Sequence, residues 1–122
     1  MKINWITLRI YNLERSKDFY GNFLGMELFR EFTGSDGRRF AFYRAENGME
    51  IELVENGMVG ERGLQSRQWS IGISVTDYER VLKEAQKRGF ITEEPAPHVG
   101  KLEYFFAEDP DGTAFQIVKY SD

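Results

Sequence analysis

The alternation of residues 5–10 returns 65 positions later, and this repeat limits the possible folds more than any other feature of the chain. Ile6, Leu8 and Ile10 alternate with Thr7 and Arg9, the period of a strand with one buried face. Ile71, Ile73 and Val75 repeat that alternation. Asn12 corresponds to Asp77, both of a residue type that caps a helix N-terminus, and Glu14-Arg15 corresponds to Glu79-Arg80. Near the module ends the offset is 64, where Ile51-Glu52-Leu53-Val54 matches Phe115-Gln116-Ile117-Val118. The expected fold is α+β. One domain, 1–122, holds two βαβββ modules: module one over 1–56, a linker over 57–67 and module two over 68–122.

Within module one, apolar spacing predicts a helix over 13–24, stopped by Gly25. Strands are predicted over 26–33, 38–44 and 49–54. Asn47-Gly48 suits a two-residue hairpin. That loop would place Tyr43 opposite Glu52 and Phe42 opposite Leu53, with Phe40 and Phe42 on the core side. Module two is predicted to hold a first strand from Trp69 to Val75 and a helix over 78–88. A short strand near 90–92 follows, then strands over 101–108 and 113–120. By parity, Ile6, Leu8, Ile51, Leu53, Ile71, Ile73, Phe115 and Ile117 pack under the helices, and Trp69 joins the core. Trp5, Thr7, Arg9, Glu52, Ser70 and Gln116 face the other way. Arg9 shares a face with Glu52 and is a candidate ion-pair partner for it.

Composition removes several function classes. The net charge is -4 with both signs interspersed, so no basic stripe suits nucleic acid. No apolar run has the length of a membrane span. The N-terminus enters a strand pattern directly, with no signal-peptide core. With no cysteine in the chain, a cytoplasmic location is expected. Phosphate-loop, dinucleotide and nucleophile-elbow motifs are all missing.

Residues 6–25 read I-T-L-R-I-Y-N-L-E-R-S-K-D-F-Y-G-N-F-L-G, and 108–112 read E-D-P-D-G. The turn, Leu13, Ser16, Phe19-Tyr20, Leu24-Gly25 and the D-P-D-G run resemble the vicinal oxygen chelate superfamily, which includes glyoxalases, bleomycin resistance proteins and dioxygenases. The resemblance covers essentially the whole chain. It implies paired modules forming an open, barrel-like cup, usually within a homodimer. In enzymes of that family, a divalent metal in the cup stabilises a developing oxyanion. Its ligands come from the start of each module's first strand and from each last strand.

Carried over, those four positions hold Trp5, Glu52, Ser70 and Gln116. Glu52 is a good metal ligand. Gln116 offers a neutral carbonyl oxygen, Ser70 a weak hydroxyl, and the Trp5 indole only donates. The resemblance therefore implies a member lacking most metal ligands, with no cofactor. The leading expectation is a metal-free binding protein, holding an organic ligand such as an aromatic metabolite or an antibiotic. The candidate ligand-binding residues are Trp5, Thr7, Arg9, Tyr43, Glu52, Ser70, His98 and Gln116. The alternative is a glyoxalase-like or transferase-like enzyme, using a divergent metal site or Glu52 as a base. A small organic ligand and a second copy of the chain are the expected partners, with neither nucleic acid nor membrane.

Overall fold

The computed structural model describes residues 1–55, 69–91 and 103–119. The expected linker over 57–67 and the loop carrying His98 lie outside the described residues. The chain divides into two units, Met1–Leu64 and Gln65–Asp122. Each is a βαβββ-type module built on a mixed sheet. Among the described residues no helix is long and apolar enough to cross a membrane.

Module one runs β1 (Trp5–Ile10), α1 (Leu13–Lys17), β2 (Glu27–Thr33), β3 (Arg39–Arg44) and β4 (Glu50–Glu55). Its sheet order is β1-β4-β3-β2, with β1 parallel to β4 and the other pairs antiparallel. Asn12 Oδ1 accepts the Arg15 N–H at 2.9 Å, satisfying one of the orphan donors at the start of α1. At Asp18 the helix passes into a π-helical segment, Asp18–Phe23. This wider turn keeps Phe19, Tyr20 and Phe23 all buried against the sheet. Gly25, at φ +71°, ends the run in a backbone region that side chains disfavour.

Leu8, Ile10, Ala41, Tyr43, Ile51 and Leu53 meet this helical arm and form the core. A fully buried Leu or Ile contributes about 1.5–3 kcal/mol. Alternation assigned β1 and β4 to the correct faces, but the β3 register needs correcting. Ala45 and Met49 close the hairpin, with Ala45 N donating to Met49 O at 2.8 Å. The loop is therefore Glu46-Asn47-Gly48, three residues rather than two, with Gly48 at φ +92°. One extra loop residue moves every β3 side chain to the opposite face. Phe42 stands opposite Glu52, Tyr43 opposite Ile51 and Ala41 opposite Leu53. Phe40 and Phe42 thus lie away from the helix, and Tyr43 lies beneath it.

Module two runs β5 (Ile71–Val75), α2 (Tyr78–Lys87), β6 (Tyr104–Glu108) and β7 (Ala114–Lys119). Its order is β5-β7-β6, with β5 parallel to β7. Ile71 stands opposite Phe115 and Ile73 opposite Ile117. Phe115 and Ile117 are fully buried, whereas Ile71 and Ile73 are half-buried. The Tyr78 ring of α2 lies 5.7 Å from that of Phe105, which fixes the covered face. The short strand expected near Phe90 reduces to one bridge, Ile91 to Ala107. Asp77 does not cap α2 through its side chain. Its Oδ2 accepts instead from Arg80 Nε at 2.7 Å. Trp69 precedes β5 and is 38% exposed, because strand parity does not reach back past Ile71. In the D-P-D-G turn, Asp109 Oδ1 accepts the N–H groups of Asp111 at 3.0 Å and Thr113 at 2.7 Å.

Candidate functional site

The helix-free face of module one gathers the chemistry into one row. Thr7 on β1 stands opposite Glu52 on β4, Glu52 opposite Phe42 on β3, and Phe42 opposite Arg30 on β2. Side chains in such a row project to the same side of the sheet. Thr7 Oγ1 donates to Glu52 Oε1 at 2.7 Å. That bond fixes one carboxylate oxygen and leaves further lone pairs on the group for a substrate proton. Arg9 stands opposite Val54, one pleat along from the pair.

Aromatic rings surround the row. Trp5 meets Phe42 edge-on, with centroids 5.6 Å apart and planes at 85°. Phe32 lies 6.5 Å from Phe42 and stacks on Phe40 at 4.8 Å. Phe29 is the extra residue where the β2 register shifts between Leu28 and Arg30, and its ring lies 5.9 Å from Phe42. Phe42 is 6% exposed and forms the floor of the cluster, whereas Trp5 is 46% exposed and Phe32 38%.

Tyr43 belongs elsewhere. Its ring is 2% exposed, lies 6.2 Å from that of Tyr20 and borders Gly21 of the π segment. Burial, with the Glu31 and Glu14 carboxylates adding to it, pushes its phenol up to about 12. A shallow depression at this spot is lined by Tyr43, Leu28, Met26 and polar groups of the helical arm. Tyr43 therefore does not share the Glu52 face.

In module two, Gln116 lies between Gly72 on β5 and Phe106 on β6, on the face away from α2. Ser70 lies one residue before β5 and is exposed. His98 lies outside the described residues. Of the eight residues expected from sequence, Trp5, Thr7, Arg9 and Glu52 come together on one face of module one. Phe42, Phe32, Phe29 and Arg30 join them there, although sequence reasoning passed over them. The signal that could have found them is Gly48, a residue suited to the last position of a three-residue hairpin loop.

Comparisons with known proteins bear on this face. The family model described as the glyoxalase/bleomycin resistance protein/dioxygenase superfamily matches residues 2–117. The lactoylglutathione lyase of Neisseria meningitidis serogroup A is 32% identical over 125 residues, covering 98% of this chain and 91% of the relative. That of Escherichia coli O157:H7 is 32% identical over 128 residues, covering 100% and 95%. Among solved structures, glyoxalase I from Zea mays superposes with a TM-score of 0.84 at 25% identity. It matches 99% of this chain, which spans 45% of the maize protein. The expected metal-free binding protein is overturned by these findings, because relatives matched over nearly their full length are lyases. The chain belongs to the glyoxalase/bleomycin resistance protein/dioxygenase superfamily.

Proposed function

We propose that the chain is a glyoxalase-like lyase that interconverts thiol–2-oxoaldehyde adducts and 2-hydroxyacyl thioesters of the lactoylglutathione kind, with Glu52 as its base. The observation that carries this reading is the Thr7–Glu52 pair at 2.7 Å. It lies on the helix-free face of a chain whose full-length relatives are lactoylglutathione lyases. A hydrogen on the carbon next to a carbonyl is acidic enough for a positioned carboxylate to remove. In the adduct of a thiol with a 2-oxoaldehyde, that carbon bears the hydroxyl and the sulfur. Glu52 takes its proton, and an enediolate forms between this carbon and the adjacent carbonyl carbon, whose oxygen takes up the hydroxyl hydrogen of the first carbon. Glu52 then returns the proton to the adjacent carbon, leaving a 2-hydroxyacyl thioester. Atoms and electrons balance with no oxidant.

The four positions at which the family holds a metal do not fit one here. The Trp5 indole only donates, Ser70 is a poor ligand, and Gln116 offers a single neutral oxygen. Transition-metal sites generally need three or more good donors. Among the described residues, no group of three or more His, Cys, Asp or Glu converges. No step of the reaction is therefore assigned to a metal. A small organic thioester, a homodimeric assembly and a reducing, cytoplasmic setting complete the proposal.

The test is conversion of the methylglyoxal–glutathione adduct, followed by thioester absorbance, with and without added divalent ions. Turnover that drops by roughly 100-fold or more in Glu52→Gln supports Glu52 as base. Wild-type protein that converts no adduct under any of these conditions refutes the proposal.

A further inference from the structure

The loop of the β3–β4 hairpin holds an electrophile and a nucleophile side by side. Glu46, Asn47 and Gly48 are all exposed, and Ala45 and Met49 close the loop. The Asn47 side chain is turned towards the residues that follow it, because its Oδ1 accepts the Met49 N–H at 3.4 Å. This Asx turn closes a ring that contains the Gly48 nitrogen and keeps the side-chain carbonyl carbon near it. If that nitrogen attacks the carbonyl carbon, negative charge gathers on Oδ1. The Met49 N–H already points at that oxygen, as an oxyanion donor does.

Gly48 supplies access. Nothing lies within 4 Å of the place a Cβ would take, so no side chain crowds its nitrogen. One restraint opposes the attack. The Gly48 N–H donates to Ala45 O at 2.9 Å, which holds the nitrogen in the turn. It is released when the loop opens, and exposed loops open at little cost in free energy.

We infer that Asn47 is a site of spontaneous conversion to aspartate and isoaspartate, with water as the co-reactant and loop opening as the gate. The Gly48 nitrogen forms a bond to Asn47 Cγ. The bond from Cγ to the side-chain nitrogen breaks, and ammonia leaves with the Gly48 hydrogen. The five-membered imide then takes up one water. Opening at the side-chain carbonyl leaves aspartate in a normal chain. Opening at the main-chain carbonyl leaves isoaspartate, with the chain running through the former side chain. Nothing is oxidised or reduced. Either product adds a negative charge between Glu46 and Glu50. The isoaspartyl form also adds one carbon to the backbone of a three-residue loop. That loop sets the register that puts Phe42 opposite Glu52 and Tyr43 opposite Ile51. Conversion therefore ages the fold at the turn that builds the Glu52 face, whatever reaction that face performs.

The test is a timed incubation of the full chain in warm, neutral buffer, followed by peptide mapping with mass spectrometry. A second Asn-Gly pair, Asn56-Gly57, lies outside the described residues, and fragmentation reads it separately. Asn47 should convert steadily, with isoaspartate as the larger product. Guanidinium chloride too dilute to unfold the chain should speed conversion at least about twofold, because it favours opening. Gly48→Ala should slow conversion about fivefold or more although it strains the loop, because its methyl group crowds the nitrogen. Circular dichroism confirms that each sample is folded. The isoaspartyl chain, isolated by ion exchange, should unfold at a lower guanidinium midpoint than Asn47→Asp, which carries the charge without the added carbon. An Asn47 that stays intact overturns the inference, and so does a Gly48→Ala chain that converts as fast as the wild type. A rate untouched by dilute guanidinium refutes the gate, and equal midpoints refute the effect on the hairpin.

Discussion

Thr7 gives its hydroxyl hydrogen to Glu52 across the parallel β1–β4 pair, over 2.7 Å between residues 45 positions apart. With Glu52 as the proposed base, this bond would make Thr7 a positioning residue for the carboxylate. Thr7→Val keeps the shape and the strand preference and removes the donor. It should lower kcat about tenfold with little change in KM, because a misplaced base costs more in the transition state than in substrate binding. Thr7→Ser should restore most of kcat. Steady-state kinetics of the three proteins decide it, and a Val variant with full kcat removes the positioning role.

Tyr43 should make stability fall at high pH. Burial raises its folded pKa from the ordinary 10.0 to about 12. The unfolded chain therefore holds fewer protons between those limits. The contribution is complete below about pH 10 and is lost as pH rises towards 12. Urea midpoints at pH 9 and pH 11 should differ by about 1–2 kcal/mol of stability. Tyr78 is also raised by burial, so Tyr43→Phe should flatten the slope without abolishing it. An unchanged slope in Tyr43→Phe would show that Tyr43 titrates normally.

The two helix starts should respond differently to the same substitution. Asn12→Ala removes the 2.9 Å bond to the Arg15 N–H and should cost about 1 kcal/mol. Asp77→Ala removes only an exposed contact with Arg80 and should cost less than about 0.5 kcal/mol. Chemical denaturation of both variants tests this, and equal losses would contradict it.

Gly48 holds a left-handed conformation at φ +92° with open space where a Cβ would stand. Gly48→Ala should therefore cost about 1 kcal/mol through backbone strain alone. A thermal melt showing no loss would mean that the loop adopts another turn.

Much of the architecture is legible in the sequence, and the reason is physical. β1, β4, β5 and β7 place most of their apolar residues at alternate positions, which marks the helix-covered face, and the repeat states this twice. The β3 run Phe40-Ala41-Phe42-Tyr43 carries no such instruction. All four residues are apolar or aromatic, so either parity buries similar surface and the hairpin loop decides. Asn-Gly fits a two-residue loop and also the end of a three-residue one. The aromatic floor beside Glu52 was hidden by that ambiguity. The Phe29 bulge has no local signature, and Arg30 reaches the row only through it. Thr7 and Glu52 could be placed on one face by parity, but their hydrogen bond needed the β1–β4 register.

The parallel closure of module one also sets a timetable. β1 leaves synthesis first and β4 last, and the helical arm and both hairpin strands lie between them in sequence. Non-local pairing of this kind pays its loop-closure entropy before it gains any contact, so it tends to form late. A growing or stalled chain that ends before β4 contains Thr7 but no carboxylate opposite it. The Thr7–Glu52 hydrogen bond can therefore form only once the whole module has been made and zipped shut.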